Sequence, residues 1–240
     1  MSVLSTATRA AASAGGQVLR TATGLVTARP ASKPLHPCGA VVRGTLRRSG
    51  SDPAAGAAWL DEPGEDRVLV RRSRAVGLPS PVPDIHGLAI RVPVEGGWHG
   101  DLLLASTGLG KLTRFTLTAG RDPHARPMPP LRPSRTPAGP LLVAAVLRDE
   151  RTVDLAWAVG AGAWHGFGEL TLDEEPVDAA DEPVSFDPVL NRLPGLEPYD
   201  WVRRLREPSY ASARRSRHSG VRTSCRHAAI ACCRARPLRP

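Results

Sequence analysis

The sequence predicts an α+β fold, an eight-stranded antiparallel β-barrel with N-terminal and C-terminal helices. Proline and glycine account for 24 and 23 of the 240 residues, which is too many for a helical bundle and typical of short strands joined by turns. Short apolar runs recur at fairly regular spacing between turn residues, as successive antiparallel strands do. Eight such strands favour a closed barrel over an open sheet, because closure leaves no exposed edge.

Eight segments carry the strand pattern. They are residues 39–46, 68–70, 88–92, 102–105, 112–117, 141–147, 152–159 and 164–172. The fifth segment alternates apolar and polar side chains, so it predicts a half-buried strand. Residues 119–140 have many Pro and Arg without periodicity and predict a long loop. The inward faces predict a core that includes Val41, Val68, Val70, Leu88, Ile90, Leu102, Leu104, Val143 and Trp157.

The chain divides into three regions by composition. Residues 1–29 are Ala-rich and predict an amphipathic helix and an arm. Residues 30–217 form the predicted barrel domain, in which 185–217 are expected to be mostly helical with breaks at prolines. Residues 218–240 form a basic tail that contains cysteine and shows no pattern, so we expect it to be disordered.

Charge and cysteine content restrict the function classes. The net charge is +9, but basic residues are concentrated between Arg203 and Arg239, where Glu207 is the only acidic residue. The remaining body is nearly neutral, so no nucleic-acid partner is predicted. No apolar run approaches the roughly 18 residues of a membrane span, and no membrane partner is predicted. The four cysteines show no disulfide framework, which predicts a reducing cytoplasm.

Three motifs occur between residues 68 and 106, in the stretch VLVRRSRAVGLPSPVPDIHGLAIRVPVEGGWHGDLLLAS. They are V-R-x-S at 70–73, D-x-x-G-x-A-x-R at 84–91 and D-L-L at 101–103. In order and spacing this stretch resembles the core barrel of the haem catalases. The resemblance implies haem b as cofactor, and it implies that Arg71 contacts a haem propionate.

A segment near the C-terminus extends the resemblance. Arg206, Ser209, Tyr210, Arg215 and Arg217 match the family's proximal pattern R-x-x-S-Y-x-x-x-x-R-x-R. The match implies that the tyrosine is the axial ligand of haem iron and that the last arginine binds a propionate. A phenol keeps its proton to a pH of about 10, and a guanidinium four residues earlier lowers that pKa by charge and hydrogen bonding.

The distal side of the family's site is matched in part. His36, Gly39 and Gly44 fit the pattern H-x-x-G-x-x-x-x-G, which implies that His36 moves protons on a bound peroxide. The family's D-L-V-G-N-N has Ala105 at its distal asparagine, and we consider Ser106 a partial catalytic replacement. The expected substrates are hydrogen peroxide or organic hydroperoxides, with peroxidase-type activity exceeding dismutation. A homo-oligomer stays open.

Two other function classes stay open. Asp84 and His86 resemble the D-x-H opening of metallophosphoesterases, in which Asp and His ligate a metal. That resemblance implies a metal-dependent phosphodiesterase, although the family's further motifs are absent from the sequence. The third class is a non-catalytic ligand-binding barrel, in which the same two residues cap strands. Purified protein of this third class is colourless and holds no metal.

Overall fold

The computed structural model describes residues 39–77, 82–124, 127–130, 133–174 and 184–200. Every structural statement below concerns these residues. The predicted N-terminal helix, the basic tail and chain positions beyond 200 lie outside them. So do four of the predicted site residues, which are His36, Arg206, Tyr210 and Arg217.

The described residues form nine strands, one short helix and two 3-10 turns. The strands are β1 (Gly39–Arg48), β2 (Gly64–Arg74), β3 (His86–Pro93), β4 (His99–Ala105), β5 (Ser134–Thr136), β6 (Gly139–Leu147), β7 (Thr152–Val159), β8 (His165–Leu172) and β9 (Glu197–Pro198). Helix α1 spans Ala58–Asp61, and the 3-10 turns span Glu95–Gly97 and Thr113–Phe115. No helix of the described residues is long and apolar enough to cross a membrane.

The strands form one antiparallel sheet in the order β4-β3-β2-β1-β8-β7-β6-β5-β9. Two meanders, β1–β4 and β5–β8, are joined where β1 pairs with β8, from Gly44↔Leu172 to Arg48↔Gly168. The sheet curves into an open half-barrel, so the expectation of a closed eight-stranded barrel is corrected. Its ends are β4 and the two-residue strand β9.

Residues without strand structure span the gap between β4 and β6. The amide of Ala105 donates to the carbonyl of Pro129 at 3.1 Å, and Met128 exchanges two backbone hydrogen bonds with Ala145 at 2.8 and 3.0 Å. Prolines at 127, 129 and 130 have no N–H to donate. A continuous ladder cannot form there, which is why the sheet stays open at this position.

The core lies on the inner face of the half-barrel. Val42, Val70 and Ile90 lie side by side on β1, β2 and β3 and belong to one buried apolar cluster. Helix α1 supplies Trp59, whose ring meets Phe167 of β8 edge-on at 5.7 Å. Of the predicted core residues, Val41 points to the other face, Leu102 is only partly buried, and the remaining seven belong to the cluster.

Two predicted elements are wrong. Residues 112–117 form a 3-10 turn rather than a strand, and Leu112 at 84% and Phe115 at 46% are exposed. The cause is Arg114, whose buried guanidinium donates to the carbonyls of Gly160 and Gly162 at 2.9 and 3.0 Å. The guanidinium also stacks over the Trp164 ring at 4.6 Å, so one arginine fixes a turn.

The second wrong prediction is the helical start of the segment 185–217. Residues 184–199 contain turns and β9 without α-helix, and residues 201–217 lie outside the part of the chain that the structure describes. Their backbone amides bond to side chains instead, as when the amide of Asp187 donates to Asp101 Oδ2 at 2.7 Å. The predicted long loop over 119–140 is largely irregular and contains β5 near its end.

Candidate ligand-binding face

The motif residues of β2, β3 and β4 lie together on the outer face of the sheet. Side chains alternate between the two faces of a strand, and the apolar core takes the inner one. The strand register arranges the outer side chains of β1–β4 in three rows. The rows are Gly39, Ser73, Gly87 and Ala105; Val41, Arg71, Ala89 and Leu103; and Arg43, Leu69, Arg91 and Asp101. We call these twelve residues the motif face.

The three motifs therefore describe one surface. In V-R-x-S the arginine and serine are on the motif face, and in D-x-x-G-x-A-x-R so are the glycine, alanine and arginine. Of the unspecified positions between them, Leu88 and Ile90 belong to the apolar core, whereas Arg72 donates to the carbonyl of Glu150. Asp84 is the exception, because it precedes β3. A pattern that fixes every second residue on adjacent strands is typical of a surface that contacts a ligand or a neighbouring segment.

The first row of the motif face contains only small side chains. Gly39, Ser73, Gly87 and Ala105 cross four strands, so the row is about 14 Å long at the usual strand spacing of about 4.8 Å. None of its side chains is larger than that of serine. A planar ligand can therefore lie close to the backbone along the part of this row from Ser73 to Ala105.

Arg71 lies in the middle row and is buried, with 9% of its surface exposed. Its guanidinium extends over Gly39, where a Cβ atom would come within 2.8 Å of Arg71 Cζ. Any side chain at that position would displace the guanidinium. The glycine of the predicted distal pattern thus makes room for the arginine of V-R-x-S.

The third row carries an ion pair between a half-buried arginine and a buried aspartate. Arg91 Nε and Nη2 donate to the two carboxylate oxygens of Asp101 at 2.8 and 2.9 Å. The same carboxylate accepts hydrogen bonds from the Asp187 amide at 2.7 Å and from Asn191 Nδ2 at 2.8 Å. Residues 184–196, which we call the strap, are thereby held against β4 at the end of the motif face distant from the first row.

Ser106 is not brought to the motif face. It follows Ala105 and so points to the opposite side, where it is fully buried. Its hydroxyl donates to the carbonyl of Thr118 at 2.7 Å and accepts from the amide of His86 at 3.1 Å. The bond from the His86 amide fastens the 106–120 loop to β3, and the bond to Thr118 joins the two ends of the loop. Together they direct the hydroxyl away from Arg71.

Asp84 holds a loop by its carboxylate. Oδ1 accepts from the amides of Val76 and Ile85 at 3.0 and 2.7 Å, and Oδ2 accepts from the amide of Gly77 at 2.9 Å. Arg74 Nε lies 3.6 Å from Oδ2. Backbone amides and a cation thus surround the oxygens that the metallophosphoesterase resemblance would assign to a metal.

His86 lies beside Asp84 and is also buried. Its Nε2 atom is 3.0 Å from the carbonyl oxygen of Gly120. Burial lowers the pKa of the imidazole, because desolvation disfavours the charged form; Gly120 opposes this and Arg74 reinforces it. Within the described residues no group of three or more His, Cys, Asp or Glu is placed to hold a metal ion, and metal binding by Asp84 and His86 stays a prediction.

Sequence reasoning missed the part that Arg91, Asp101 and Asn191 play together. Arg91 ends one motif and Asp101 begins the next. The sequence could have indicated their ion pair, because one motif requires a cation at its last position and the other an acid at its first. Of the residues predicted to bind the cofactor, Arg71 is the one that the structure describes. The structure places it one row from the small residues and on the same face as the ion pair.

The protein is therefore an antiparallel half-barrel, and its outer surface carries a candidate ligand-binding face. No protein-family model matches the sequence. No curated protein matches it either. Among solved structures the chain is similar to a fungal catalase, with 14% sequence identity and a TM-score of 0.55. The match covers 83% of this chain and 62% of that chain. At this identity the likeness shows a catalase-like fold and carries no activity with it.

Proposed function

We propose that the protein binds haem b on the motif face and acts on hydrogen peroxide or organic hydroperoxides, in peroxidase-type chemistry. One observation carries the proposal: the motif residues of three strands share one face, with a row of small residues beside the buried Arg71. The similarity in fold to a fungal catalase supports it.

The described residues fit one side of a haem. A flat macrocycle requires a surface without protruding side chains, and the first row offers one from Ser73 to Ala105, beside the Arg71 guanidinium over Gly39. A propionate requires a cation at the border of that surface, and a guanidinium binds carboxylates bidentately. Arg71 is adjacent to Ser73 and Gly87 on this face and supplies that cation.

The remaining roles rest on the resemblance to catalases. Tyr210 is the proposed axial ligand, with Arg206 favouring its phenolate form and Arg217 on a propionate. His36 takes a proton from one oxygen of the peroxide and returns it to the oxygen that leaves. Haem supplies the redox chemistry that cleaves the O–O bond. The overall reaction consumes one hydroperoxide and one organic donor that gives up two electrons and two protons. Its products are an alcohol, water and the oxidised donor.

Ala105 is the reason for proposing peroxidase-type activity over efficient dismutation. It occupies the family's asparagine position and belongs to the row of small residues. An alanine has no side-chain donor, so His36 is the only proposed distal group that bonds the peroxide. A lost hydrogen bond of ordinary strength costs roughly 0.5–1.5 kcal/mol, which slows dismutation but leaves room for a bulkier hydroperoxide.

An absorption spectrum of protein expressed with haem supply tests the proposal. We expect a Soret band that Tyr210→Phe shifts or removes. Arg71→Gln weakens haem binding by about 10-fold or more, because a bond between charged groups contributes roughly 1.5–3 kcal/mol. Arg135→Gln is the matched control, since Arg135 is an exposed arginine of β5, outside the motif face. Colourless protein, or equal effects of the two arginine variants, contradicts the proposal.

The same preparation separates the other function classes. Bound iron or manganese without haem, together with phosphodiester hydrolysis, favours the phosphodiesterase. Colourless, metal-free protein favours a non-catalytic ligand-binding barrel, for which the motif face is still the candidate surface. Cytoplasmic location and a homo-oligomer stay predictions.

A further inference from the structure

We propose that residues 108–116, which we call the apolar loop, bind the surface of an anionic lipid bilayer. The loop follows β4 and includes the 3-10 turn Thr113–Phe115. It carries three exposed apolar side chains, those of Leu109 at 37%, Leu112 at 84% and Phe115 at 46%. The proposal is independent of haem binding, because the apolar loop contains no residue assigned to the cofactor or to catalysis.

The apolar side chains face solvent although the backbone of the loop is well bonded. Residues 109–116 are exposed except for Arg114. The amide of Gly108 donates to the carbonyl of Thr113 at 3.1 Å, and the amide of Phe115 donates to the carbonyl of Leu112 at 3.4 Å. Side chains three positions apart lie on one side of a 3-10 turn, so Leu112 and Phe115 form one apolar surface.

The buried Arg114 holds the apolar loop against the β7–β8 hairpin. Its guanidinium donates to the carbonyls of Leu109, Gly160 and Gly162 at 3.1, 2.9 and 3.0 Å. It also stacks over the Trp164 ring, whose Nε1 donates to the carbonyl of Leu109 at 2.9 Å. The exposed side chains therefore stand on an ordered loop, and an ordered loop loses less conformational entropy when it binds.

The charges around the apolar loop are positive. No acidic residue occurs in residues 102–121, or in residues 155–168, which include the tip of the β7–β8 hairpin. Lys111 is exposed within the loop, and Arg114 is bonded to carbonyl oxygens rather than to a carboxylate. Apolar side chains next to positive charge match a bilayer that contains anionic lipids, because the side chains enter the acyl boundary while the cation attracts the headgroups.

A lipid surface fits this loop better than a protein partner does. An exposed apolar loop enters a fluid layer without a matching cavity, whereas a protein partner requires complementary shape. Trp164 is half-buried at the base of the loop, and tryptophan rings are enriched at the level of the lipid headgroups. The sequence-based expectation of no membrane partner concerned a segment long enough to span a bilayer, which contact with one leaflet does not require.

Sedimentation of the full-length protein with lipid vesicles tests the proposal. Vesicles of phosphatidylcholine alone are compared with vesicles that also contain phosphatidylserine. Leu112→Ser removes apolar contact, and Lys111→Gln removes charge. Leu190→Ser is the matched control, because Leu190 is a 62% exposed leucine of the strap, outside the apolar loop. Hydrogen exchange with and without vesicles locates the contact in the parent.

We expect the parent to bind phosphatidylserine vesicles, and Leu112→Ser to weaken this binding by about ten-fold, because an apolar side chain no longer leaves water. Lys111→Gln weakens binding by about five-fold. Added salt reduces the effect of Lys111→Gln but not that of Leu112→Ser, since salt screens charge alone. Leu190→Ser binds as the parent does, and vesicles slow hydrogen exchange in residues 108–116.

A parent that does not bind phosphatidylserine vesicles overturns the proposal, and so do equal effects of Leu112→Ser and Leu190→Ser. Binding that salt removes and that Leu112→Ser leaves unchanged also overturns it, because basic residues elsewhere in the chain then hold the vesicle. Self-association without lipid that Leu112→Ser abolishes assigns the loop to a second copy of the chain and overturns it as well. The absorption spectrum tests haem binding separately, so the two proposals can fail independently.

Discussion

Arg91 and Asp101 face each other across the β3–β4 pair and form a bidentate ion pair, with nitrogen–oxygen distances of 2.8 and 2.9 Å. The Asp101 side chain is fully buried and the Arg91 side chain is 23% exposed. The arginine that ends one motif and the aspartate that begins the next are therefore two halves of a single contact. This contact also receives the strap, so a change in either residue affects more than the pair.

We predict that Asp101→Ala lowers the free energy of unfolding by about 3–5 kcal/mol. The substitution leaves the Arg91 guanidinium and two strap donors without their acceptor in a buried site. Urea denaturation measures the loss. Glu65→Ala is the control, because the Arg47–Glu65 pair is exposed and such pairs contribute about 0–1 kcal/mol. Losses of equal size contradict the prediction.

The contact between α1 and β8 gives a second prediction. Phe167 is fully buried and meets Trp59 edge-on. Phe167→Ala removes the whole ring and leaves a cavity beside Trp59, so we expect a loss of about 3–5 kcal/mol. Leu112→Ala, at an exposed position, is expected to stay within about 0.5 kcal/mol. Thermal or urea unfolding of both variants provides the measurement, and a Phe167→Ala loss below about 1 kcal/mol counts against it.

Seven of the eight predicted strands are confirmed. They could be predicted because each strand buries one face, and the buried face appears in the sequence as a run or alternation of apolar residues. Residues 112–117 show the same alternation without forming a strand. There the deciding contact is between Arg114 and the carbonyls of Gly160 and Gly162, more than forty positions away in the chain. Alternation predicts which side chains share a face but not whether a neighbouring strand is available.

Barrel closure could not be predicted for a similar reason. It depends on which segment lies between β4 and β6, and the prolines at 127, 129 and 130 prevent a ladder only once that segment is placed there. The strap presents the same difficulty. Its conformation is set by a carboxylate on β4, and nothing within residues 184–196 indicates that partner.

The candidate site was predictable in part from the alternation of side chains along a strand, which places every second residue on the same face. Arg71 and Ser73 share a face because they are two residues apart, and so do Gly87, Ala89 and Arg91. The same rule separates Ser106 from Asp101 and Ala105, so its orientation away from the motif face was already contained in the sequence. Register between strands was not, because it depends on turn geometry. The joint face of the three motifs therefore required the structure.

The buried His86 makes stability depend on pH. Desolvation lowers the pKa of its imidazole below 6.5 in the folded protein. At a pH below 6.5 the unfolded chain therefore binds this proton more tightly than the folded protein does. The stabilising contribution is complete above a pH of about 6.5 and is lost as pH falls through the folded pKa. We predict that His86→Gln flattens the decline of unfolding free energy between about pH 7 and pH 5.

Urea midpoints across this range measure the slope for the parent and for His86→Gln. Val153→Ala, a core variant of β7, controls for lower stability as such; it removes no titrating group and is expected to keep the parent's slope. Identical slopes for the parent and His86→Gln would show that another group sets the pH dependence.

Ala105 allows a direct test of the proposed chemistry. It lies in the row of small residues next to Gly87, at the position where the catalase pattern has asparagine. With haem bound, Ala105→Asn adds a donor on the motif face, and we predict a rise of about 2- to 10-fold in oxygen evolution from hydrogen peroxide relative to dye oxidation. Ala105→Val adds volume without a donor and is expected to lower both activities. The prediction fails if Val and Asn act alike, if the parent already evolves oxygen at the rate of a true catalase, or if His36→Ala leaves both activities unchanged.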